Sequence, residues 1–422
     1  MLDLKFIRAN PQIVKDNCAA RRVPADVDKL VAAADKRHAL GIELQDVQRQ
    51  QNEVAKLVKS AADKAARDGH IAEGKRLKER AAEIEQEVRS LDEEIHAVQA
   101  FIPNLTHPSA PATEDAVLRT WGDPQPKPYK ALDHYDLCLK HGLADFEAAA
   151  RVTGSDFYYL TGQGALLELA LIQYALGKLV PLGFTPVLTP DLARTQIMEG
   201  TGYIPRGAET QIYSIAGGDL CLIATSEITL AGMFAEQTIE GDKLPLKFVG
   251  VSHCFRTESG AAGRATRGLY RVHQFTKVEM FAFCRPEESD ALHEEFRQLE
   301  EEIFQGLEIP YRVLDIAAAD LGGPAYRKYD LEAWMPGRGE AGEFGEVTST
   351  SNCTDYQARR LNVRFKDAGQ KGTQHVHMLN GTAVATGRAI LALLENHQRE
   401  DGSVAIPKAL QPWMFGKNVI GS

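Results

Sequence analysis

The sequence lacks the signals of several familiar protein classes. Its six cysteines are scattered without a CxxC pair, so neither a zinc ribbon nor a disulfide framework is indicated. No GxxxxGKS or GxxxxGKT motif is present, which leaves a P-loop nucleotide site without support. The start of the chain has no long apolar segment, and no later run approaches the roughly 18 apolar residues of a membrane span. We therefore expect a soluble, cytoplasmic protein with no membrane partner.

An excess of positive charge is also missing, because 48 lysines and arginines face 58 aspartates and glutamates, for a formal net charge of -10. A polyanion must then be bound by local basic features and not by the surface as a whole. The 422 residues suffice for about two to three domains with a sizeable core. The 44% hydrophobic content argues against wholesale disorder.

Proline is absent between residues 24 and 103, and apolar residues recur there at a sustained spacing of three and four. This spacing is typical of long helices that pack along a seam. Asp68-Gly69-His70 interrupts the pattern and is the expected turn. We therefore predict an N-terminal domain over 1–102 that contains an antiparallel two-helix coiled-coil arm over about 27–100.

The expected tip of this arm is rich in basic residues. Such a local excess on an acidic protein suggests contact with a polyanion. A solvated coiled-coil face or a dimerisation stalk is the alternative reading, and it stays open here. The basic residues are Lys56, Lys59, Lys64, Arg67, Lys75, Arg76, Lys78 and Arg80.

A proline-rich linker over 103–130 is followed by a second domain over 131–422. Helical and β-rich runs mix there without a regular βαβ period, which predicts an α+β fold with a mostly antiparallel sheet flanked by helices. The helical runs are 166–182 and 387–398, and the β-rich runs are 184–188, 246–251, 278–283 and 311–314.

Three arginines are the candidates for a nucleotide site without a P-loop, because a planar guanidinium grips two phosphate oxygens at once. They are Arg256, Arg271 and Arg388. Phe275 follows Arg271 at an even offset, which in a strand puts both side chains on one face, so its ring could stack on adenine. A core position is the alternative for Phe275. Glu279 repeats the offset and is expected to face the same cleft.

A carboxylate among arginines needs a cation, and a substrate ammonium or Mg²⁺ would supply one to Glu279. Glu346 and Ser349 carry the hard oxygens that Mg²⁺ prefers, although their tetrapeptide alone is explained more simply as a surface strand edge. The basic, glycine-rich run 259–268 is either a plain hairpin connection or a loop that closes over a phosphate-bearing ligand.

Longer segments resemble the motifs of class II aminoacyl-tRNA synthetases: 170–190 resembles motif 1, 250–283 motif 2 and 379–398 motif 3. Within that class, the chain resembles the seryl-tRNA synthetase family through its N-terminal arm and three further segments. These are Thr225-Ser226-Glu227, 270–275 and 351–360. The resemblance covers nearly the whole chain.

The resemblance implies a serine–tRNA ligase. L-Serine would react with ATP to give seryl-adenylate and pyrophosphate, and serine would then pass to the 3′-terminal ribose of tRNA(Ser) and of tRNA(Sec). Mg²⁺ would accompany ATP, no zinc is expected, and motif 1 would form a homodimer interface. Neither step needs a protein nucleophile, so catalysis would be positioning and charge stabilisation by Arg256, Arg271 and Arg388.

Carried onto this sequence, the resemblance also implies residue roles. ATP would contact Arg256, Thr257, Glu258, Arg271, Phe275, Glu346, Val347, Thr348, Ser349 and Arg388, with Glu346 and Ser349 as Mg²⁺ ligands. Serine would contact Thr225, Ser226, Glu227, Arg256, Glu279 and Thr382. The tRNA would contact the eight basic residues of the arm together with Arg264 and Arg267.

Two other functions stay open. A synthetase-like paralogue could load an amino acid onto a carrier protein, although such relatives generally lack the arm that this chain has. A coiled-coil interaction protein could carry a degenerate catalytic domain, but the three arginines, Glu279 and Glu346 argue against degeneration. The preferred tRNA isoacceptor, and the effect on the serine pocket of Thr348 and Thr382, where serine is common in the family, are not predicted.

Overall fold

The computed structural model describes residues 1–203, 211–258 and 267–421, and it divides into two compact units, Met1–Leu105 and Thr106–Ser422. The helices are α1 (Leu4–Ala9), α2 (Pro11–Ala20), α3 (Val27–Lys59), α4 (Lys64–Phe101), α5 (His134–His141), α6 (Phe146–Thr153), α7 (Gln163–Leu179), α8 (Thr195–Thr201), α9 (Ser226–Gly232), α10 (Ser289–Gly306), α11 (Tyr356–Leu361) and α12 (Thr386–His397). The strands are β1 (Ala116–Trp121), β2 (Ala144–Asp145), β3 (Tyr159–Leu160), β4 (Thr185–Leu188), β5 (Leu192–Arg194), β6 (Leu220–Leu222), β7 (Thr238–Glu240), β8 (Leu246–Phe255), β9 (Gln274–Cys284), β10 (Tyr311–Asp315), β11 (Arg327–Met335), β12 (Glu343–Asn352), β13 (Arg364–Lys366), β14 (Gln374–His375), β15 (His377–Ala385), β16 (Val404–Ala405) and β17 (Val419–Ile420).

The N-terminal unit is built around the long helices α3 and α4, which pack against each other as the apolar spacing predicts. Helix α3 has 33 residues and at ~1.5 Å per residue is about 50 Å long. Buried side chains from both helices form one hydrophobic cluster with α1 and α2, including Leu30, Val47, Leu77, Ile84 and Ile95. Tertiary packing of these stripes therefore holds the arm together.

The turn of the arm lies earlier than the sequence predicted. Helix α3 ends at Lys59 and α4 begins at Lys64, so Asp68-Gly69-His70 lies inside α4 and the predicted turn there was wrong. The Asp63 carboxylate accepts a hydrogen bond from the Ala66 amide and caps α4. A glycine inside a helix costs only about 1 kcal/mol relative to alanine, which the packing of a 38-residue helix overrides.

The second unit is built on an eight-stranded sheet in the order β1-β10-β11-β12-β15-β9-β8-β4. Neighbouring strands are antiparallel except for β4, which runs parallel to β8, so the predicted mostly antiparallel sheet is confirmed. Strand β1 lies in the segment 103–130 that was predicted to be a linker. It pairs with β10 at the edge of the sheet and so belongs to the second unit. Helices α7, α10 and α12 share one core with the sheet, through residues that include Leu171, Met280, Phe296, Ile303 and Leu393.

Strand β12 lies inside the sheet, between β11 and β15. The segment 346–349 pairs with β11 alone, because the β12–β15 ladder covers only Thr350–Asn352. Its residues line the cleft and do not form the exposed strand edge that the sequence alone suggested. The β11–β12 ladder pairs Leu331 with Thr348 and Asp330 with Ser349, and it is irregular after Leu331. Gly337, Gly339 and Gly342 have GxGxxG spacing, but they lie in the turn between two antiparallel strands and not between a strand and a helix, so they do not form a dinucleotide-binding motif.

Helix α7 and the turn after it, Gln163–Leu182, are long and apolar enough to cross a membrane by length and composition alone, with a mean hydropathy of 1.5. The sequence expectation that no segment would reach this threshold was therefore wrong. One face of the helix, including Leu167, Leu171 and Leu179, is buried in the core of the second unit. Burial of this face accounts for part of the apolar character of the helix, whereas Leu169 and Leu182 are exposed.

Candidate active site

A cleft of about 440 Å³ opens over the central strands β9, β12 and β15. Several separate stretches of chain meet there, among them the start of α9, the residues after β8, the segment leading into β9 and the strand itself, strand β12, and the junction of β15 with α12. Most of the predicted ATP- and serine-binding residues line it, namely Glu227, Arg256, Glu258, Arg271, Phe275, Glu279, Glu346, Val347, Thr348, Ser349, Thr382 and Arg388. The sheet thus assembles residues that are far apart in sequence.

Three predicted contacts do not line the cleft. Thr225 is fully buried and caps α9, since its hydroxyl accepts a hydrogen bond from the Glu227 amide. Ser226 is also buried, and Thr257 donates its amide to the Gln211 carbonyl. Thr225 therefore acts on the cleft through Glu227, because it fixes the start of the helix that carries this carboxylate.

Strand β9 puts Phe275, Lys277 and Glu279 in the cleft, since alternate residues share one face of a strand. Arg271 precedes this strand, so the even-offset argument was wrong for Arg271 although its side chain does reach the cleft. The Arg256 guanidinium lies 5.3 Å from the centre of the Phe275 ring. Phe275 thus presents an aromatic face to the cleft with a cation beside it.

Glu227 is a buried carboxylate surrounded by donors. It accepts hydrogen bonds from the Tyr203 hydroxyl at 2.9 Å, the Gln357 amide at 2.7 Å and the Asn380 amide at 3.0 Å. Burial raises the pKa of Glu227, and the negative charge of Glu279 raises it further. No role was predicted for Tyr203, Gln357 or Asn380, which come from three distant segments, although Gln357 and Asn380 lie in the segments 351–360 and 379–398 that resemble the family.

Glu279 already has a cation beside it. Lys277 forms a buried ion pair with Glu279, and the Thr382 hydroxyl donates to the same carboxylate at 3.4 Å. Lys277 therefore supplies a cation to Glu279 in addition to the substrate ammonium or Mg²⁺ that the sequence suggested. The alternation Phe275, Lys277, Glu279 carried the signal, and the parity argument would have found Lys277 had it been applied to every residue of the strand.

The predicted phosphate-binding arginines are paired with carboxylates of the same cleft. Arg271 Nη1 donates to Glu258 Oε2 at 2.5 Å, and Arg388 Nη1 donates to Glu346 Oε1 at 2.9 Å. The Arg388 guanidinium also lies 4.8 Å from the centre of the Tyr270 ring. Burial alone would raise the pKa of Glu346, but the positive charge of Arg388 lowers it below its ordinary value, so this carboxylate stays ionised.

Hard oxygen atoms gather beside Glu346. Ser349 lies on the same strand, and Asp330 faces it across the β11–β12 ladder. One oxygen of Asp330 pairs with Lys328 at 2.9 Å, while Oδ1 is buried without a partner in the described part of the chain. Burial raises the pKa of Asp330 to about 6, despite Lys328. Within the described ranges no group of three or more His, Cys, Asp or Glu side chains is arranged for a metal. A cation here would therefore also need oxygen atoms of a bound substrate to complete its coordination.

The predicted tRNA contacts fall into three groups. Arg264 and the run 259–266 lie outside the described residues. The Arg267 guanidinium donates to Asp136 at 2.9 Å and lies over the Tyr135 ring, so residues of the second unit already hold this side chain. The arm residues are all exposed, and among them Lys75, Arg76 and Arg80 form ion pairs with glutamates of the arm. Lys56, Lys59, Lys64 and Arg67 flank the turn.

Comparison with known proteins agrees with this fold and cleft. Residues 213–397 match the tRNA synthetase class II core domain (G, H, P, S and T), and residues 1–106 match the seryl-tRNA synthetase N-terminal domain. The C-terminal unit is thus a class II aminoacyl-tRNA synthetase core, as motifs 1 to 3 predicted.

Full-length relatives narrow this class to one family. A serine–tRNA ligase of Rhodopirellula baltica is 55% identical over 98% of both chains, and one of Rubrobacter xylanophilus is 53% identical over 100% of this chain and 99% of the relative. The crystal structure of seryl-tRNA synthetase from Pyrococcus horikoshii complexed with ATP superposes with a TM-score of 0.92 at 41% identity, covering 100% of this chain and 99% of that one. The chain belongs to the seryl-tRNA synthetase family, and it is an ATP-dependent aminoacyl-tRNA ligase.

Proposed function

We propose that this one cleft carries out both steps of serine–tRNA ligation, in the cytoplasm. The observation that carries the proposal is that carboxylates suited to an ammonium or a hydroxyl and arginines suited to phosphates line one cleft. Glu227 and Glu279 are the buried carboxylates, and Arg271 and Arg388 are the arginines, each paired with a carboxylate of its own, Glu258 and Glu346. An amino acid and a nucleoside triphosphate together have this charge pattern.

In the first step, a serine carboxylate oxygen forms a bond to the α-phosphorus while the bond to pyrophosphate breaks. Arg256 is proposed to hold the serine carboxylate and the α-phosphate together, because its guanidinium can donate to both. Arg271 and Arg388 would bind the outer phosphates. The Phe275 ring would stack on adenine, and Glu258 would accept a hydrogen bond from the adenine amino group.

Glu346 and Ser349 are the proposed ligands of Mg²⁺, and the buried Asp330 carboxyl group faces Ser349 across the ladder. The donor set of carboxylate and hydroxyl oxygens fits a hard cation. When bound, Mg²⁺ would neutralise part of the charge on the outer phosphates. Glu346 is suited to this use because Arg388 keeps it ionised.

In the second step, the 3′-terminal ribose hydroxyl of tRNA attacks the adenylate carbonyl and AMP leaves. We propose tRNA(Ser), and also tRNA(Sec), as the acceptors. The exposed basic residues at the turn of the arm, Lys56, Lys59, Lys64 and Arg67, would contact the tRNA backbone. Such contacts read shape and phosphates and carry little base specificity.

A homodimer through motif 1 is part of the proposal. Large apolar side chains of this segment are exposed in the single chain, among them Leu188 at 84%. Leu188 belongs to β4, which is the last strand of the sheet and so offers a free edge. A second copy of the chain would cover both the edge and the apolar side chains.

Serine-dependent exchange of pyrophosphate into ATP tests the first step, and charging of purified tRNA pools tests the second. We expect exchange with serine alone and charging of serine tRNAs. Absence of exchange with every amino acid would refute the enzymatic proposal. Exchange with serine, combined with loading of a carrier protein and no tRNA charging, would favour the paralogue alternative.

A further inference from the structure

Glu300 is a buried carboxyl group that neither proposed step uses. It lies on α10, which packs against β12 and β15 behind the cleft, and it is only 1% exposed. Its Oε2 accepts a hydrogen bond from the Thr348 hydroxyl at 3.0 Å, and its Oε1 has no partner within the described ranges. Thr348 itself lines the cleft, so one hydrogen bond links Glu300 to the substrate side.

Glu300 also lies close behind the backbone of β15. A Cβ added at Gly381 would come within 3.2 Å of Glu300 Oε1 and 3.0 Å of the Thr350 hydroxyl. Gly381 stands between Asn380, which donates to Glu227, and Thr382, which donates to Glu279. The carboxyl group therefore bonds to β12 and leaves no room for a side chain at Gly381 of β15.

The charged groups that face Glu300 favour its neutral form. Burial raises its pKa well above the ordinary range, and Asp330, Glu279 and Glu301 raise it further, while only the Thr348 hydrogen bond acts in the opposite direction. A neutral carboxyl group with one unpartnered oxygen is a costly way to fill a core position that an apolar side chain could occupy. Its cost to stability suggests that the group serves the cleft.

We propose that Glu300 is a positioning residue for the serine pocket, holding the Thr348 hydroxyl and the backbone at Gly381 so that the pocket accepts serine and excludes threonine. This rests on the proposed serine pocket at Glu227, Glu279 and Thr382. The side chain of Thr348 is β-branched, so a bond to its hydroxyl also fixes where its methyl group stands. A pocket that rejects one extra methyl group depends on such fixed positions.

Glu300→Met is the test, because it keeps the side-chain length and removes both oxygens. We expect its melting temperature to equal or exceed that of the wild type. In pyrophosphate exchange the KM for serine should rise about tenfold, and the preference for serine over threonine should fall about tenfold. Changes of this size are typical when a pocket loses its discrimination of one methyl group. Because Thr348 is also a predicted ATP contact, the KM for ATP need not stay constant, but it should rise clearly less than the KM for serine. Glu302→Met, an exposed neighbour on α10, should change none of these.

A double mutant shows whether Glu300 acts through Thr348. The effects of Glu300→Met and Thr348→Val on serine preference should be strongly non-additive. Additive effects, or a lower melting temperature with equal losses toward serine and ATP, would overturn the proposal.

The variant Glu279→Gln distinguishes a wrong role for Glu300 from a wrong assignment of the serine pocket. If Glu279→Gln leaves the KM for serine unchanged, the pocket assignment is wrong. If it raises that KM while Glu300→Met does not, only the role of Glu300 is wrong.

Discussion

Replacing Lys277 by methionine removes the cation that pairs with Glu279 inside the second unit. Both residues are buried, Lys277 at 6% exposure and Glu279 at 1%, so water solvates the carboxylate that remains only poorly. Removing one partner of a buried pair typically costs about 3–5 kcal/mol, because the uncompensated charge stays behind. We therefore expect Lys277→Met to lower the free energy of unfolding of this unit by that amount.

The three tryptophans of the chain, Trp121, Trp334 and Trp413, all lie in the second unit, so urea unfolding followed by tryptophan fluorescence reports on it alone. Lys243→Met is a matched control, since Lys243 pairs with Glu240 on the surface and its loss should cost less than ~1 kcal/mol. The double mutant Lys277→Met/Glu279→Gln should regain most of the lost stability. The reasoning is refuted if Lys277→Met is no more destabilising than the control, or if the double mutant regains nothing.

Four further predictions concern the two units. Arg388→Lys should lower kcat/KM for ATP about 100-fold in pyrophosphate exchange, because lysine can neither donate in a fork nor stack on Tyr270 in the same way; unchanged kinetics would contradict its phosphate role. Changing Lys56, Lys59, Lys64 and Arg67 to glutamine should raise the KM for tRNA at least tenfold and leave serine exchange unchanged, with Lys408→Gln as control; equal loss in both assays would argue against an arm contact. Asp63→Ala should destabilise the arm by ~1 kcal/mol through loss of the α4 cap, as measured by circular dichroism melting, whereas Asp68→Ala, within α4, should have a smaller effect. Asp330, whose pKa is raised to about 6, ionises more easily in the unfolded chain, so it lowers the free energy of unfolding progressively as the pH rises from ~4 through ~6. With metal chelated, Asp330→Asn should therefore become more stable relative to the wild type across that range. A stability difference that does not change with pH would contradict the raised pKa.

The sequence predicted best those features that depend on short, local spacing. Phe275 and Glu279 share a face because both belong to β9, and the arm forms because its apolar residues recur at helical spacing. Prediction failed where distant segments meet. Tyr203 and Gln357 both donate to Glu227, and neither has a local pattern that connects it with that carboxylate.

Other errors have simple local causes. Gly69 suggested a turn, but the cap at Asp63 and the packing of α4 decide where the arm reverses. The segment 346–349 carries polar residues and resembled an exposed strand edge. It pairs with β11 on one side only, and its residues line the cleft and not the outer surface.

The ion pairs inside the cleft have a consequence for ligand selection. Arg271 with Glu258, Arg388 with Glu346 and Lys277 with Glu279 leave each cation matched to a carboxylate. A small inorganic anion could satisfy the arginine of a pair but would leave its carboxylate without a donor. ATP and serine bring both kinds of group, phosphates for the arginines and amino groups for the carboxylates. We therefore expect ligands that replace both halves of a pair to bind more tightly than simple phosphates, which replace only one half.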